Sequence, residues 1–315
     1  MLTNKERIKI ISGIEIKLRD VINSRIRNSE TDDDKKKNEG KLWENFYIKK
    51  QIDRRKTEGG RFNCDVDDCT RAMVYSFLSS QNEWDKVEKN IDKIEEVFLT
   101  FDSEQILKQD PEKLAEKLKG GDLNLGTLST KMQMEALIYN IKKLKNIQLK
   151  YEYVSDFYDE IIESKSGLEG YKSLVKRLAI RTAKSDDKME QMGIALAAEY
   201  LRNLGYDIPK PDRHILRILG PKILGEHTSS NYESDKLKIE VFDIIDEYAK
   251  ATNKSRAEID YLFWAYCANK YGEVCTKISP ACGDCAIKEF CKKGKRINQN
   301  NVSSKCPITY NKIKP

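Results

Sequence analysis

Long hydrophobic runs are missing from this sequence. No window approaches the 18 consecutive apolar residues that a membrane-spanning helix requires, which excludes a membrane-embedded chain. The segment from Met1 to Arg7 leads into a charged amphipathic stretch, where a secreted protein would have an apolar signal core. We therefore expect a microbial cytoplasmic protein that makes no contact with a membrane.

Proline and alternating β patterns are also scarce. Seven prolines in 315 residues leave room for long helices, and the single alternating run, 149–154, is too short to indicate a sheet. Apolar residues instead recur at helical spacing, as at Met134, Leu137, Ile141 and Leu144. The sequence thus predicts an all-α protein with one large or two modest domains.

Local signals mark where several elements begin and end. Asp110 followed by Pro111 predicts a helix start, and the Gly120-Gly121 pair predicts its end. A capping box at 255–258 precedes another apolar helix. Residues 28–41 contain no apolar side chain and are predicted to form a linker or loop, as are residues 226–236.

The positive charge is concentrated near the C-terminal end. The net charge is +6, and the residues after Cys275 alone carry nine basic against two acidic side chains. Residues 1–275 are therefore close to neutral. Such a basic block favours a polyanionic partner, and nucleic acid is the most plausible one. For residues 292–315 taken alone, a solvated Lys-rich tail is the favoured interpretation.

Four of the eight cysteines lie within 17 residues, in the pattern C-x6-C-x2-C-x5-C. In a chain without a secretory signal, disulfides are disfavoured, and both zinc and an iron–sulfur cluster take four thiolates. Structural zinc sites usually show two short cysteine pairs, whereas this run has one short pair and a wide first gap. The spacing therefore favours a [4Fe–4S] cluster. The ligands would be Cys275, Cys282, Cys285 and Cys291.

The remaining cysteines are predicted to be structural. Cys69 falls at the start of a helix as a small core residue, and Cys267 falls on the apolar face of the helix at 256–270. Cys64 lies five residues before Cys69, and Cys306 lies in the tail.

The cysteine pattern, at the end of an all-helical domain, resembles the iron–sulfur loop of the endonuclease III class of helix-hairpin-helix DNA glycosylases. Further segments resemble this family in its order, across about residues 66–291. They are Leu78-Ser79-Ser80-Gln81, residues 125–131, the helix within 193–205, and Pro211-Asp212-Arg213-His214-Ile215. The resemblance implies a two-domain fold with a helical barrel domain and an iron–sulfur cluster domain.

The resemblance also implies an activity, the removal of a damaged or modified base from double-stranded DNA. Asp212 matches the catalytic aspartate, which would stabilise a cation-like sugar and deprotonate a water. An ordinary helix cap is the alternative role for Asp212, and the two roles can coexist. Gln81 matches the position that fills the gap left by the flipped base. The implied DNA contacts are Gln81, Gln191, Gly193, His214 and Lys277.

The phosphate-gripping hairpin of this family would fall at residues 189–193. Its first glycine is replaced by Gln191 and its second is kept as Gly193, so the tightness of the turn is in question. The lysine with which bifunctional members nick the strand would fall at Ala195. The resemblance therefore implies a monofunctional glycosylase that leaves an abasic site. Lys188 and Lys210 are candidates for a displaced amine, although solvated lysines explain both.

We predict a monomer that associates with the nucleoid. The expected division is 1–65, N-terminal helices and a linker; 66–203, the barrel with the hairpin; 204–291, the aspartate and cluster domain; and 292–315, a basic tail. The alternatives are a bifunctional glycosylase that uses another lysine, a non-catalytic DNA-binding or redox-sensing iron–sulfur protein, and a zinc-binding adaptor.

Overall fold

A computed structural model describes residues 2–57, 63–80, 82–121, 123–181 and 187–293. Every regular element in these ranges is helical and none is a strand, so the all-α prediction is confirmed for them. None of the described helices is long and apolar enough to cross a membrane. The chain divides into two compact units, unit 1 (Met1–Lys50 with Pro209–Pro315) and unit 2 (Gln51–Ile208).

Unit 1 is assembled from both ends of the chain. Its long first helix buries Ile10, Ile11 and Ile14 and packs against α14 (Asp235–Thr252) and α15 (Arg256–Cys267). Thr3 caps the start of the first helix in a capping box with Glu6. The helices of unit 1 are α1 (Asn4–Arg27), α2 (Asp32–Glu39), α13 (Arg213–Leu219), α14 (Asp235–Thr252) and α15 (Arg256–Cys267), and α3 (Tyr47–Thr57) begins in it.

Unit 2 is one continuous segment. Its helix α4 (Val66–Leu78) buries Cys69, Met73 and Phe77 and packs against α9 (Thr130–Gln148) and α12 (Ile194–Asn203). The helices are α4 (Val66–Leu78), α5 (Trp84–Glu88), α6 (Ile91–Val97), α7 (Ser103–Ile106), α8 (Pro111–Lys119), α9 (Thr130–Gln148), α10 (Val154–Glu163), α11 (Leu168–Ala179) and α12 (Ile194–Asn203).

The loop predicted at residues 28–41 is wrong, because α2 lies within it. Thr31 caps this helix by accepting a hydrogen bond from the Asp34 amide at 3.1 Å. Three aspartates follow the cap and three lysines follow the aspartates, so the charges complement the helix dipole. None of its residues is buried. Capping and charge order therefore give a helix that a search for apolar residues misses.

Other local predictions are confirmed. Asp110 caps α8 and Gly120 ends it. Ser255 caps α15 by accepting from the Glu258 amide at 3.1 Å, while the Glu258 carboxylate pairs with Lys254 and so departs from the expected capping box. The loop predicted at 226–236 is irregular up to Ser234, where α14 is capped. Cys69 and Cys267 are buried as expected.

Candidate active site

Asp212 is the N-cap of α13. Its Oδ1 accepts hydrogen bonds from the backbone amides of His214 at 2.7 Å and Ile215 at 3.1 Å. Among the described residues, none donates a hydrogen bond to Oδ2. The side chain is half-buried. One carboxylate oxygen therefore fixes the orientation of the group, and the other is available for chemistry.

The opposite end of α13 is held by the segment 223–227. The Leu224 amide donates to the Ile218 carbonyl at 3.1 Å, and the Glu226 amide donates to the Leu219 carbonyl at 2.9 Å. His227, which is 3% exposed, has its Nε2 atom 2.8 Å from the Leu216 carbonyl oxygen. Because a carbonyl only accepts, Nε2 carries the proton. Sequence reasoning did not single out His227, which fell in a predicted loop.

His214 follows Asp212 in the first turn of α13 and is half-buried. Burial lowers the pKa of its imidazole below the ordinary value of 6.5, and the negative charge of Asp212 opposes that effect only in part. The nearby Arg217 lowers the pKa further. We therefore expect a neutral imidazole near pH 7, which can donate one hydrogen bond to a phosphate but cannot neutralise it.

The lowered pKa predicts how stability depends on pH. Below about pH 6.5 the unfolded chain protonates His214 while the folded chain does not, so the free energy of unfolding decreases as the pH falls toward the folded pKa. In His214→Gln this part of the dependence should be absent. Denaturant titrations of both proteins between pH 8 and pH 5 measure it. Parallel curves for the two proteins would contradict this assignment.

The four cysteines of the C-x6-C-x2-C-x5-C run lie after α15, where Cys282 begins a short 3-10 helix (Cys282–Asp284) and the other three lie outside regular elements. All four are partly exposed, whereas Cys64, Cys69 and Cys267 are buried. The loop is anchored by Tyr266, whose hydroxyl lies 3.4 Å from Cys285 Sγ and accepts a hydrogen bond from the Ala286 amide at 2.8 Å. Burial also raises the pKa of the Tyr266 hydroxyl, so this group stays a donor.

Four cysteine thiols are the type of donor that an iron–sulfur cluster or a zinc ion takes. Burial raises the pKa of the Cys285 thiol, and Cys275 and Cys291 add to the rise, so each of these two sulfurs lies within electrostatic range of Cys285. No three histidine, cysteine or acidic side chains in the described ranges are grouped so that they could hold a metal ion.

One buried cation joins the cysteine loop to α13. Arg217, which is 8% exposed, donates a hydrogen bond from Nη2 to the backbone carbonyl of Cys275. Because α13 begins at the Asp212 cap, the helix that carries the carboxylate is attached to the first cysteine of the loop. Lys277 lies two residues further on and is exposed beside Ile278, which is 78% exposed.

The hairpin residues belong to unit 2. Gln191 has φ 58°, the left-handed conformation that glycine favours, so the turn is tight although the glycine is missing. Gly193 is exposed and is the N-cap of α12, with no side chain bonded to the cap. A Cβ added at Gly193 would meet no atom within 4 Å. The space beside Gly193 is therefore open, and the first amides of α12 have no acceptor within the helix, as at anion-binding helix starts.

The other residues predicted for the site lie in α12, in the hairpin or outside the described residues. Ala195 lies in the first turn of α12 and is half-buried. The Lys188 amine lies 3.5 Å from the Glu190 carboxylate. Gln81, Cys306 and the tail from residue 294 lie outside the described residues. Sequence reasoning missed Leu128, whose side chain is 99% exposed just before α9.

Comparisons with known proteins give two structural likenesses. No family model matches the chain, and no curated protein matches it significantly. A crystal structure of Methanocaldococcus jannaschii 8-oxoguanine glycosylase/lyase with 15mer DNA containing 8-oxoguanine is similar, with 21% identity over 77% of this chain and 95% of that chain and a TM-score of 0.44. The 8-oxoguanine DNA glycosylase of the same organism gives 21% identity over 78% and 92%, with a TM-score of 0.46. These values assign no function.

Proposed function

We propose that this chain is a DNA glycosylase that hydrolyses the bond between a deoxyribose and a damaged or modified base in double-stranded DNA. The proposal rests on the position and hydrogen bonding of the Asp212 carboxylate. Its carboxylate is fixed by two amides on one oxygen, is available on the other, and heads a helix held at both ends. The resemblance of residues 66–291 to helix-hairpin-helix glycosylases gives this carboxylate its chemistry.

Asp212 would act on the sugar. As the bond from C1′ to the base breaks, the base leaves with the bonding electrons and takes up a proton, while positive charge develops on the sugar. A carboxylate fixed beside C1′ stabilises that charge and accepts a proton from the water that adds to C1′. Because Asp212 is already oriented by the helix amides, little reorganisation is needed during the reaction.

The hairpin would bind a phosphate of the DNA backbone. The amides of Gly193, Ile194 and Ala195 have no acceptor within α12, and the helix dipole favours an anion in front of them. The exposed Gly193 leaves room for a phosphate oxygen to approach the backbone closely. This contact would set the register of the enzyme without reading the base.

Extrusion of the base would leave a gap in the duplex. Gln81 is the residue that we propose to fill it, and Leu128 is a second candidate because an exposed aliphatic side chain can insert between base steps. Leu128 belongs to residues 125–131, one of the segments that resemble the family.

We propose that Cys275, Cys282, Cys285 and Cys291 hold a [4Fe–4S] cluster. When bound, the cluster would crosslink the loop and so fix its backbone. Arg217 would transmit that rigidity to α13 through the Cys275 carbonyl. The carboxylate and the cluster would then be parts of one rigid region of unit 1.

The absence of lysine at position 195 supports a monofunctional enzyme. An alanine cannot form a Schiff base with the sugar. The Lys188 amine lies 3.5 Å from the Glu190 carboxylate, so it has an ion-pair partner within the hairpin itself.

A panel of duplexes tests the proposed function. Each duplex carries one uracil, mismatched thymine, alkylated base or oxidised base, 8-oxoguanine included, and products are separated before and after alkali. We expect the enzyme to act on duplexes with one class of lesion, and their strands to break only after alkali treatment. Breaks without alkali, with covalent trapping by borohydride, would indicate a lyase. Tight binding without base release on any duplex would favour the non-catalytic alternative.

Lys277 offers a test of DNA binding. As an exposed cation on the cysteine loop, it should neutralise one phosphate, so Lys277→Ala should reduce the slope of log affinity against log salt by about 1, equally for all sequences. The matched control is Lys36→Ala, an exposed lysine on α2. Fluorescence anisotropy at several salt concentrations measures both slopes. If the two variants share one slope, Lys277 does not contact DNA.

A further inference from the structure

The side chain that holds the hairpin in place is Asn140, in the middle of α9. Its Oδ1 accepts a hydrogen bond from the Glu190 amide at 2.8 Å, and its Nδ2 donates to the Glu190 carbonyl at 3.0 Å. Asn140 is 0% exposed, and Nδ2 also lies 3.5 Å from Met73 Sδ. Both polar atoms of the buried Asn140 side chain thus bond to the backbone of a single hairpin residue, Glu190.

The clamped residue directly precedes the strained one. Gln191 has φ 58°, a conformation that is strained for a residue with a Cβ and that glycine adopts freely. Such strain persists only where the surroundings determine it. Here the two hydrogen bonds fix Glu190, while Met189 and Met192 are buried on either side of the turn.

A second α9 side chain assists at the start of the hairpin. The Lys143 amine donates to the Lys188 carbonyl at 2.9 Å, one turn along α9 from Asn140. The Met189 amide donates to the Leu178 carbonyl at 2.8 Å. The Asn140 and Lys143 contacts thus attach the hairpin to the 19-residue helix α9, and the Met189 contact attaches it to α11.

We propose that Asn140 is a positioning residue for DNA binding, which forces the hairpin into the phosphate-binding conformation that glycine gives in related sequences. This inference rests on the proposed function, since it assigns the hairpin to DNA. Its consequence is that Asn140 and Gln191 are coupled. Without the clamp, Gln191 relaxes out of the left-handed region, the turn opens, and the amides at the start of α12 no longer converge on a phosphate.

A double-mutant cycle tests the coupling. Asn140→Ala should weaken binding to duplex DNA about five- to tenfold, the equivalent of one lost polar contact. Gln191→Gly should recover most of this loss in the Asn140→Ala background, because glycine adopts the left-handed conformation without the clamp. The change in Kd that Gln191→Gly causes should differ between the Asn140→Ala and wild-type backgrounds by more than about threefold.

The matched control is Asn203→Ala. Asn203 is a buried asparagine of the same unit whose Nδ2 donates to the Ala72 carbonyl at 3.1 Å, at the end of α12 opposite the hairpin. The Asn203→Ala substitution should lower the free energy of unfolding. At a temperature where every variant is folded, it should leave DNA affinity unchanged. If Asn140→Ala does not fold, Asn140→Met replaces it, because methionine fills the volume and removes both hydrogen bonds.

Hydrogen exchange gives a readout that needs no DNA. Asn140→Ala should speed the exchange of the Glu190 and Met192 amides, and adding Gln191→Gly should slow Met192 again. Independent effects in the cycle together with unchanged exchange would overturn the clamp. A different result is that neither the wild type nor any variant binds DNA while exchange responds as expected. That result would support the contact between Asn140 and the hairpin and would contradict the proposed function.

Discussion

Asp212→Asn should lower the rate of base release by about 10²–10³, equivalent to roughly 2.7–4 kcal/mol of lost electrostatic stabilisation. The amide keeps the shape of the carboxylate and removes the negative charge beside the cationic sugar. Asparagine caps helices about as well as aspartate, so α13 should keep its N-cap and the protein its stability. DNA affinity should be retained, since removing a carboxylate near phosphates relieves repulsion. Single-turnover assays on the excised lesion measure the rate.

The matched control for this variant is Asp110→Asn. Asp110 caps α8 by accepting a hydrogen bond from the Glu112 amide at 2.9 Å, so it makes the same kind of cap in the other unit. Its replacement should leave the rate of base release unchanged. If Asp212→Asn retained full activity as Asp110→Asn does, Asp212 would be a helix cap only, and the active site would lie elsewhere.

Cys282→Ser should remove bound iron and sulfide and destabilise unit 1 by on the order of 3–5 kcal/mol. A structural metal site can contribute about 10–16 kcal/mol to folding, and the loss of one of four ligands forfeits a share of it. The loss should extend to α13, because Arg217 bonds to the Cys275 carbonyl. Iron and sulfide analysis, visible absorbance and denaturant titration measure the effects.

The control for the cluster is the same substitution in the tail, Cys306→Ser, which should retain iron, sulfide and stability. Stoichiometric zinc without sulfide in the wild-type protein would contradict the cluster and favour the zinc-binding alternative. A brown wild-type protein whose colour survives Cys282→Ser would mean that other residues hold the iron.

Local signals in the sequence were reliable where one residue determines the outcome. Asp110 with Pro111 predicted the start of α8, and the Pro211-Asp212 step predicted the start of α13. The prediction failed at residues 28–41, where helix formation depends on Thr31 and on the order of charges along α2, with no contribution from an apolar face.

The parts of the candidate site that escaped prediction depend on contacts between distant residues. Asn140 contacts Glu190, 50 residues along the chain, and one polar side chain within an apolar helix pattern gives no hint of its partner. Arg217 meets the Cys275 carbonyl across 58 residues. Gln191 was identified as a departure from the hairpin pattern, but its left-handed backbone depends on contacts that the sequence does not reveal.

The assembly of unit 1 from both chain ends has a consequence during protein synthesis. Helix α1 leaves the ribosome early, whereas its partners α14 and α15 follow about 200 residues later. At about 5–20 residues per second, the face with Ile10, Ile11 and Ile14 stays uncovered for roughly 10–40 s. Unit 2 emerges as one continuous segment in that interval. The nascent chain therefore displays the apolar face of α1 until α14 and α15 have emerged, and this face is the type of surface that chaperones at the ribosome bind.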